Sequence, residues 1–341
     1  MTRLFVEYSR LLRLSGLIGF SMAPVFGALS LVYIGYEPTL FTLFLLLLLG
    51  AFKAIVGCVL NDYFDIEVDS LSDDPNKRPL VSGAISKKMA LGLTAFCIIA
   101  AFSILFIFFF ENQPGFFYGL ICILLTILFG NIYNKYSKKF IGLDILVGLS
   151  EGLFVLMGAF LVSSGGKISI FTWMFFALIF TQYLYMNAVM GGLKDADHDY
   201  KFGTKNIALK TGVKVNKNKD VFIPVSFKMF GFSLRLISSF FVFVPFIFFN
   251  VYYENWHMIF FAFIVLLVLI LTLKMLNVKS FKERKKVLGL FAIQGVLRYS
   301  YVPLMLIPLI GVIYSISLVF IPIIWYFIVT AIAGQNIAPN L

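Results

Sequence analysis

Long apolar stretches alternate with short polar ones along nearly the whole chain. They fall near residues 12–34, 39–60, 88–110, 114–133, 141–162, 170–191, 230–252 and 256–277. Each is close to the roughly 20 residues an α-helix needs to cross a bilayer core. The apolar region from 287 to 334 is too long for one helix. It reads either as two spans, or as an interfacial helix carrying Arg298 followed by one long span. The pattern predicts an all-α polytopic membrane protein of nine or ten transmembrane helices.

The basic residues orient these spans. Arg3, Arg10 and Arg13 precede the first; Lys77, Arg78, Lys87 and Lys88 lie between the second and third; Lys135, Lys138 and Lys139 lie between the fourth and fifth. Seven lysines from Lys194 to Lys219 follow the sixth, and Lys279 to Lys286 follow the eighth. The alternate loops carry little beyond Glu37, Glu111, Lys167 and Glu254. A cytoplasmic N-terminus satisfies the positive-inside rule at every loop. The first stretch exceeds the apolar core of a signal peptide and reads as an anchor.

Composition agrees with this map. The 341 residues are 60% hydrophobic and 13% charged, and the mean hydropathy is +0.95. The net charge of +11 follows from topology and calls for no nucleic-acid partner. Cys58, Cys97 and Cys122 sit in apolar spans without CxxC spacing and read as small buried residues. The chain reads as one integral-membrane domain, 1–341, with cytoplasmic loops at about 61–87 and 193–225 and no evident obligate protein partner.

Nine of the seventeen acidic residues fall in two short windows, each closing an apolar span. The first, NDYFDIEVDSLSDDPNKRP, holds Asp62, Asp65, Glu67, Asp69, Asp73 and Asp74; the second, GGLKDADHDYKFGTKN, holds Asp195, Asp197 and Asp199. Asn61, Asp65 and Asp69 are spaced i, i+4, i+8, so on a helix they drift about 40° per step and share a face. Asp195 and Asp199 repeat the i, i+4 spacing. Glu67, Asp73 and Asp74 read more simply as solvated acids balancing nearby lysines. The helically spaced set needs another explanation, because like charges at a membrane helix end repel. Magnesium supplies one, since it takes oxygen ligands from one or two carboxylates plus substrate phosphates. The basic return NKRPLVSGAIS adds Arg78, a fork donor suited to phosphate oxygens, and a Pro79–Gly83 turn.

NDYFDIEVD followed by NKRPLVSGAIS resembles the first signature of the UbiA-type intramembrane prenyltransferases. KDADHDYKFGTKNIALKTG is similar to their second, IYNKYSKKF to the tyrosine–lysine segment after their fourth helix, and RLLRLSGLIGFSMAPVFGALS to their first helix. The likeness runs in order through six spans; beyond Gly212 it is one of hydropathy alone.

The resemblance implies a helical bundle, usually of nine spans, around a central lipid-open cavity. It implies Mg²⁺-dependent transfer of an isoprenyl group from a prenyl diphosphate to a small lipid or aromatic acceptor, with Mn²⁺ able to substitute. By position, Asn61, Asp65, Asp195 and Asp199 would hold metal and diphosphate, with Asp62 and Asp69 supporting them. Arg78, Lys138 and Lys205 would neutralise diphosphate oxygens, and Tyr133 would line the site. The details of the motifs look most like members that alkylate a glycerol-phosphate ether lipid with a geranylgeranyl group, ahead of the aromatic acceptors of quinone synthesis. Asn206 stands where many relatives have Thr or Ser. Lys53, eight residues before Asn61, reads as a cavity residue or as a lysine packed beside a polar neighbour; His198 reads as a bystander. The stretch from Val213 to Phe227 is longer than usual. A cation-coupled transporter would place its acids nearer the midplane, and the DGxxAR run of the CDP-alcohol phosphotransferases is missing.

Overall fold

Side chains that cap helices set where the spans begin. Thr39, Ser86, Asn112 and Ser169 each accept a backbone N–H three residues on, from Thr42, Met89, Gly115 and Thr172. Such a cap is worth about 1 kcal/mol. They start the second, third, fourth and sixth spans. The computed structural model describes residues 3–70, 78–196, 199–200, 203–216, 218–281 and 284–333. Asp73, Asp74, Asp197 and His198 therefore lie outside the described residues.

Among the described residues, ten helices are long and apolar enough to cross a membrane: Leu14–Ile34, Leu40–Phe64, Lys87–Glu111, Gln113–Tyr136, Asp144–Val162, Ile170–Lys194, Val225–Phe249, Asn255–Leu276, Val287–Met305 and Val312–Ala333. The region after residue 287 holds two helices of spanning length and composition, and Arg298 is buried within the first of them. The seventh begins five residues earlier than its apolar run, at Val225, directly after an extended Pro224. The first span is broken: 3₁₀ turns at Leu14–Gly16 and Ser30–Ile34 flank two short α segments, the second with Pro24 in its first turn. The sixth passes through a π-helical turn at Met186–Gly191 before reaching the second acid window. The loop beyond it adds the only strands described, a four-residue hairpin pairing Lys214–Val215 with Val221–Phe222.

The fifth span is the hub of the bundle, with Val155, Met157 and Ala159 fully buried. It packs backbone to backbone on the first. A Cβ at Gly27 would lie 1.9 Å from the Val155 carbonyl oxygen, and one at Gly158 would lie 2.0 Å from that of Pro24. Without a hydrophobic driving force in lipid, close approach at small residues is how such helices associate.

The later spans are joined by a buried polar network. Arg235 of the seventh donates to Gln182 Oε1 at 2.7 Å and to Gln294 Oε1 at 3.0 Å, and its guanidinium stacks 3.6 Å from the Tyr185 ring. Gln294 donates to Thr272 Oγ1 at 2.6 Å, and Arg298 donates to the Leu178 carbonyl at 2.8 Å. Spans six to nine are therefore tied together by hydrogen bonds that have no water to compete with them.

Candidate active site

The first acid window continues its span with a local kink. The second span ends at Phe64, Asp65 caps it with φ −90° and ψ 3°, and a short helix follows over Ile66–Ser70. Asp65 N–H donates to the Asn61 carbonyl at 3.0 Å and Asp69 N–H to that of Asp65 at 2.8 Å. The helical spacing of Asn61, Asp65 and Asp69 is thereby kept. The second window repeats the arrangement. Asp195 has φ −101° and ψ 6°, its N–H donates to the Gly191 carbonyl at 2.9 Å, and Asp199 N–H donates to that of Asp195 at 2.8 Å. Backbone near φ −90°, ψ 0° is sparsely populated and recurs at active sites.

The basic return is set by a plug and a turn. Leu80 and Ile85 are buried with Leu11, Val59 and Ala90. Between them Val81 and Ser82 N–H donate to the Arg78 carbonyl, and Gly83 takes φ +73°, open to glycine at little steric cost. The turn presents Arg78 to the acids: its guanidinium pairs with Asp62 and its Nε lies 3.2 Å from Asp69 Oδ2. That second contact lacks hydrogen-bond alignment, so the buried Asp69 oxygen keeps free accepting capacity.

Lys138, in the loop after the fourth span, stands between the windows. Its Nζ is 3.8 Å from Asp199 Oδ1. Burial lowers its pKa, but Asp199, Asp65, Asp195 and Asp69 together outweigh that and hold it above the usual lysine range. Carboxylates of both windows thus act on one ammonium. Burial raises the pKa of Asp65, Asp199 and Asp69, that of Asp69 to about 6, while Lys138 or Arg78 pulls the other way. Asn206 donates to Asp199 Oδ2 at 2.6 Å and so fixes that carboxylate. Exposed Lys205 approaches through its backbone, its N–H donating to the Lys138 carbonyl at 3.0 Å. Tyr133 Oη donates to Asn187 Oδ1 at 2.9 Å.

The donor set is hard oxygen throughout and fits Mg²⁺. Among the described residues no three His, Cys, Asp or Glu side chains converge closely enough to hold an ion by themselves. Asp62 and Asp69 are engaged by arginine, and a magnesium site of this kind takes part of its ligand shell from substrate phosphates and water.

Two side chains here were not singled out in the sequence. Arg13 donates to Asp62 Oδ1 at 3.2 Å and Cys58 Sγ at 3.3 Å, from a left-handed backbone at φ 47° and ψ 46°. A non-glycine residue in that region stores strain of about 1–3 kcal/mol. Asn187 holds Tyr133 and lies eight residues before Asp195, the offset that separates Lys53 from Asn61. That repeat was the available signal.

A bundle of membrane-spanning helices carries two carboxylate windows at the ends of its second and sixth helices, with Lys138 after the fourth beside them. The model of the UbiA prenyltransferase family matches residues 21–291, and the chain belongs to that family. It is an integral membrane prenyltransferase. It is 28% identical over 215 residues to digeranylgeranylglyceryl phosphate synthase of Sulfurisphaera tokodaii, covering 61% of this chain and 70% of that one. It is 30% identical over 208 residues to 4-hydroxybenzoate octaprenyltransferase of a Shewanella species, covering 60% and 68%. Two solved structures share the fold at 20% identity. One is of digeranylgeranylglyceryl phosphate synthase, with a TM-score of 0.63 over 91% of this chain and 99% of that one. The other is a UbiA homologue from Archaeoglobus fulgidus bound to GPP and Mg²⁺, with a TM-score of 0.57 over 88% and 99%. Membership in an enzyme family sets the transporter reading aside.

Proposed function

We propose that the protein transfers a geranylgeranyl group from its diphosphate to a glycerol-phosphate ether lipid, in one membrane domain spanning 1–341. The observation that carries the site assignment is Lys138, whose Nζ lies 3.8 Å from Asp199 of the second window and whose charged form the carboxylates of both windows favour. Asn61, Asp65, Asp195 and Asp199 would hold Mg²⁺, or Mn²⁺ in its place. The ion would screen the charge that develops on the departing diphosphate. Lys138 and Arg78 lie over the leaving oxygens, Lys205 borders them, and Asp62 and Asp69 orient Arg78. Tyr133, fixed by Asn187, walls the site beside the allylic carbon. The diphosphate mouth opens to the cytoplasm, as the lysine-rich loops favour.

The aromatic acceptor is the second reading, supported by the 4-hydroxybenzoate octaprenyltransferase relatives at comparable identity. Incubating the purified protein with geranylgeranyl diphosphate, Mg²⁺ and a panel of glycerol-phosphate ether and phenolic acceptors, read by mass spectrometry, separates the two. Prenylated ether lipid is expected. A prenylated phenol alone would assign the second reading, and no prenylated product from any acceptor would sink both.

A further inference from the structure

Four residues lie along one line of the second span. Lys53, Gly57, Asn61 and Asp65 are each four apart, so the line drifts only about 40° per step. A Cβ at Gly57 would meet nothing within 4 Å. Open space therefore lies beside Gly57, midway between Asn61 and Lys53, which are about 12 Å apart along the helix.

An ion pair lies one helical turn further in. Lys53 pairs with Glu151 of the fifth span, and its Nζ lies 5.6 Å from the centre of the Phe154 ring. Glu151 is seven residues inside its span, about 10 Å from the end. Tyr183 of the sixth span lies within electrostatic reach of Glu151, Cys58 and Tyr299. Neither member is sealed: the side chains of Lys53 and Glu151 keep 19% and 11% of their exposure. A well-packed apolar pair at such a depth is often at least as stable as an ion pair. Ionisable residues within a membrane most often serve function. In the first acid window Asp62 is already engaged by both Arg78 and Arg13.

We infer that Glu151 accepts the proton released by the acceptor substrate, and that Lys53 is its positioning residue. The inference rests on the reading above, in which the diphosphate sits between Asp65 and Asp195. The allylic carbon then points inward, toward the free volume at Gly57. The acceptor lies there, with its nucleophilic atom between that carbon and Glu151. The bond from this atom to the allylic carbon forms. The carbon–oxygen bond to diphosphate breaks, its electron pair leaving with the diphosphate. The proton on the acceptor atom passes to the Glu151 carboxylate. Lys53 holds that carboxylate in place through the ion pair.

The test separates ionisation of the donor from transfer. The purified enzyme is given Mg²⁺, geranylgeranyl diphosphate and the acceptor it uses, and both the prenylated acceptor and the prenyl alcohol from hydrolysis are measured. Glu151→Gln should lower transfer at least about 100-fold, the usual scale of a lost general base. Its donor KM and its hydrolysis of donor without acceptor should stay within about threefold of the parent. Lys53→Arg should retain most transfer. The double variant Lys53→Met/Glu151→Gln leaves no unpaired charge and should keep its unfolding temperature while still failing to transfer. Transfer within threefold of the parent in either Glu151 variant overturns the inference and leaves the proton to the diphosphate. Equal loss of transfer and hydrolysis also overturns it, marking the pair as structural. A parent enzyme that prenylates no acceptor would instead defeat the reading on which the inference rests.

Discussion

Asp65 and Asp195, 130 positions apart in sequence, occupy the same backbone state at the same place in their spans. Both close a transmembrane helix with ψ near 0°, both donate to the carbonyl four residues back, and both accept from an acid four residues on. The kink at each aspartate lets the helical line of oxygens continue past the end of the apolar span. Two windows built alike can thus face one charged group.

Replacing either residue should therefore have the same effect. Asp65→Ala and Asp195→Ala are each expected to lower prenyl transfer at least about 100-fold, the scale of a lost electrostatic stabiliser. Burial already disfavours the charged form of Asp65, so its removal should leave the unfolding temperature in detergent unchanged or higher. Parallel activity and thermal-melt measurements check both. A collapse in stability alongside activity would reassign these residues to the fold.

Turnover should require Mg²⁺ or Mn²⁺ and stop with EDTA, and the requirement should be pH-dependent. Burial raises Asp69 to about 6, and raises Asp65 and Asp199 as well. Asp69, at about 6, holds a proton at pH 5.5 that it releases by pH 7.5, and an ion that draws on the first window must displace it to bind. The half-saturating Mg²⁺ concentration should rise several-fold between pH 7.5 and 5.5. An unchanged value would show that these groups do not contact the ion.

Arg78→Lys keeps the charge but loses the fork that reaches Asp62 and Asp69 together. The donor KM should rise about tenfold, roughly 1.4 kcal/mol, with a smaller effect on folding. Steady-state kinetics over a range of donor concentrations would show it. Full activity in the lysine variant would mean that charge alone suffices.

Orientation is open to a labelling experiment. Ser164 lies in the loop after the fifth span and Ser82 in the turn after the first acid window, both exposed. Cys58, Cys97 and Cys122 are buried, so they contribute little background. In intact cells a membrane-impermeant thiol reagent should modify Ser164→Cys and spare Ser82→Cys. The reverse pattern would place the site away from the cytoplasm.

Much of this molecule was legible because its main constraint, the bilayer, writes directly into sequence. Eight spans were found within a few residues, and the i, i+4 acids kept their helical line through Asp65 and Asp195. Other features depend on contacts far apart in the chain. The partner of Lys53, Glu151, lies 98 residues away and nothing local selects it. The left-handed Arg13 is a residue type that rarely adopts that state, so only the bridge to Asp62 and Cys58 accounts for its place. The π-helical turn at Met186–Gly191 has no breaker residue of its own beyond glycine. It sits where the sixth span must deliver both Asn187 and Asp195 to the site.

The arginines buried among the later spans bear on how the chain enters the membrane. An isolated helix with arginine near its centre costs about 2.5–3.5 kcal/mol to insert. In the ninth span Arg298 and Gln294 find hydrogen-bond partners in Leu178 of the sixth, Arg235 of the seventh and Thr272 of the eighth. All three are synthesised before it. The segment is thus matched to the order of translation, entering a bilayer that already holds the groups to receive it.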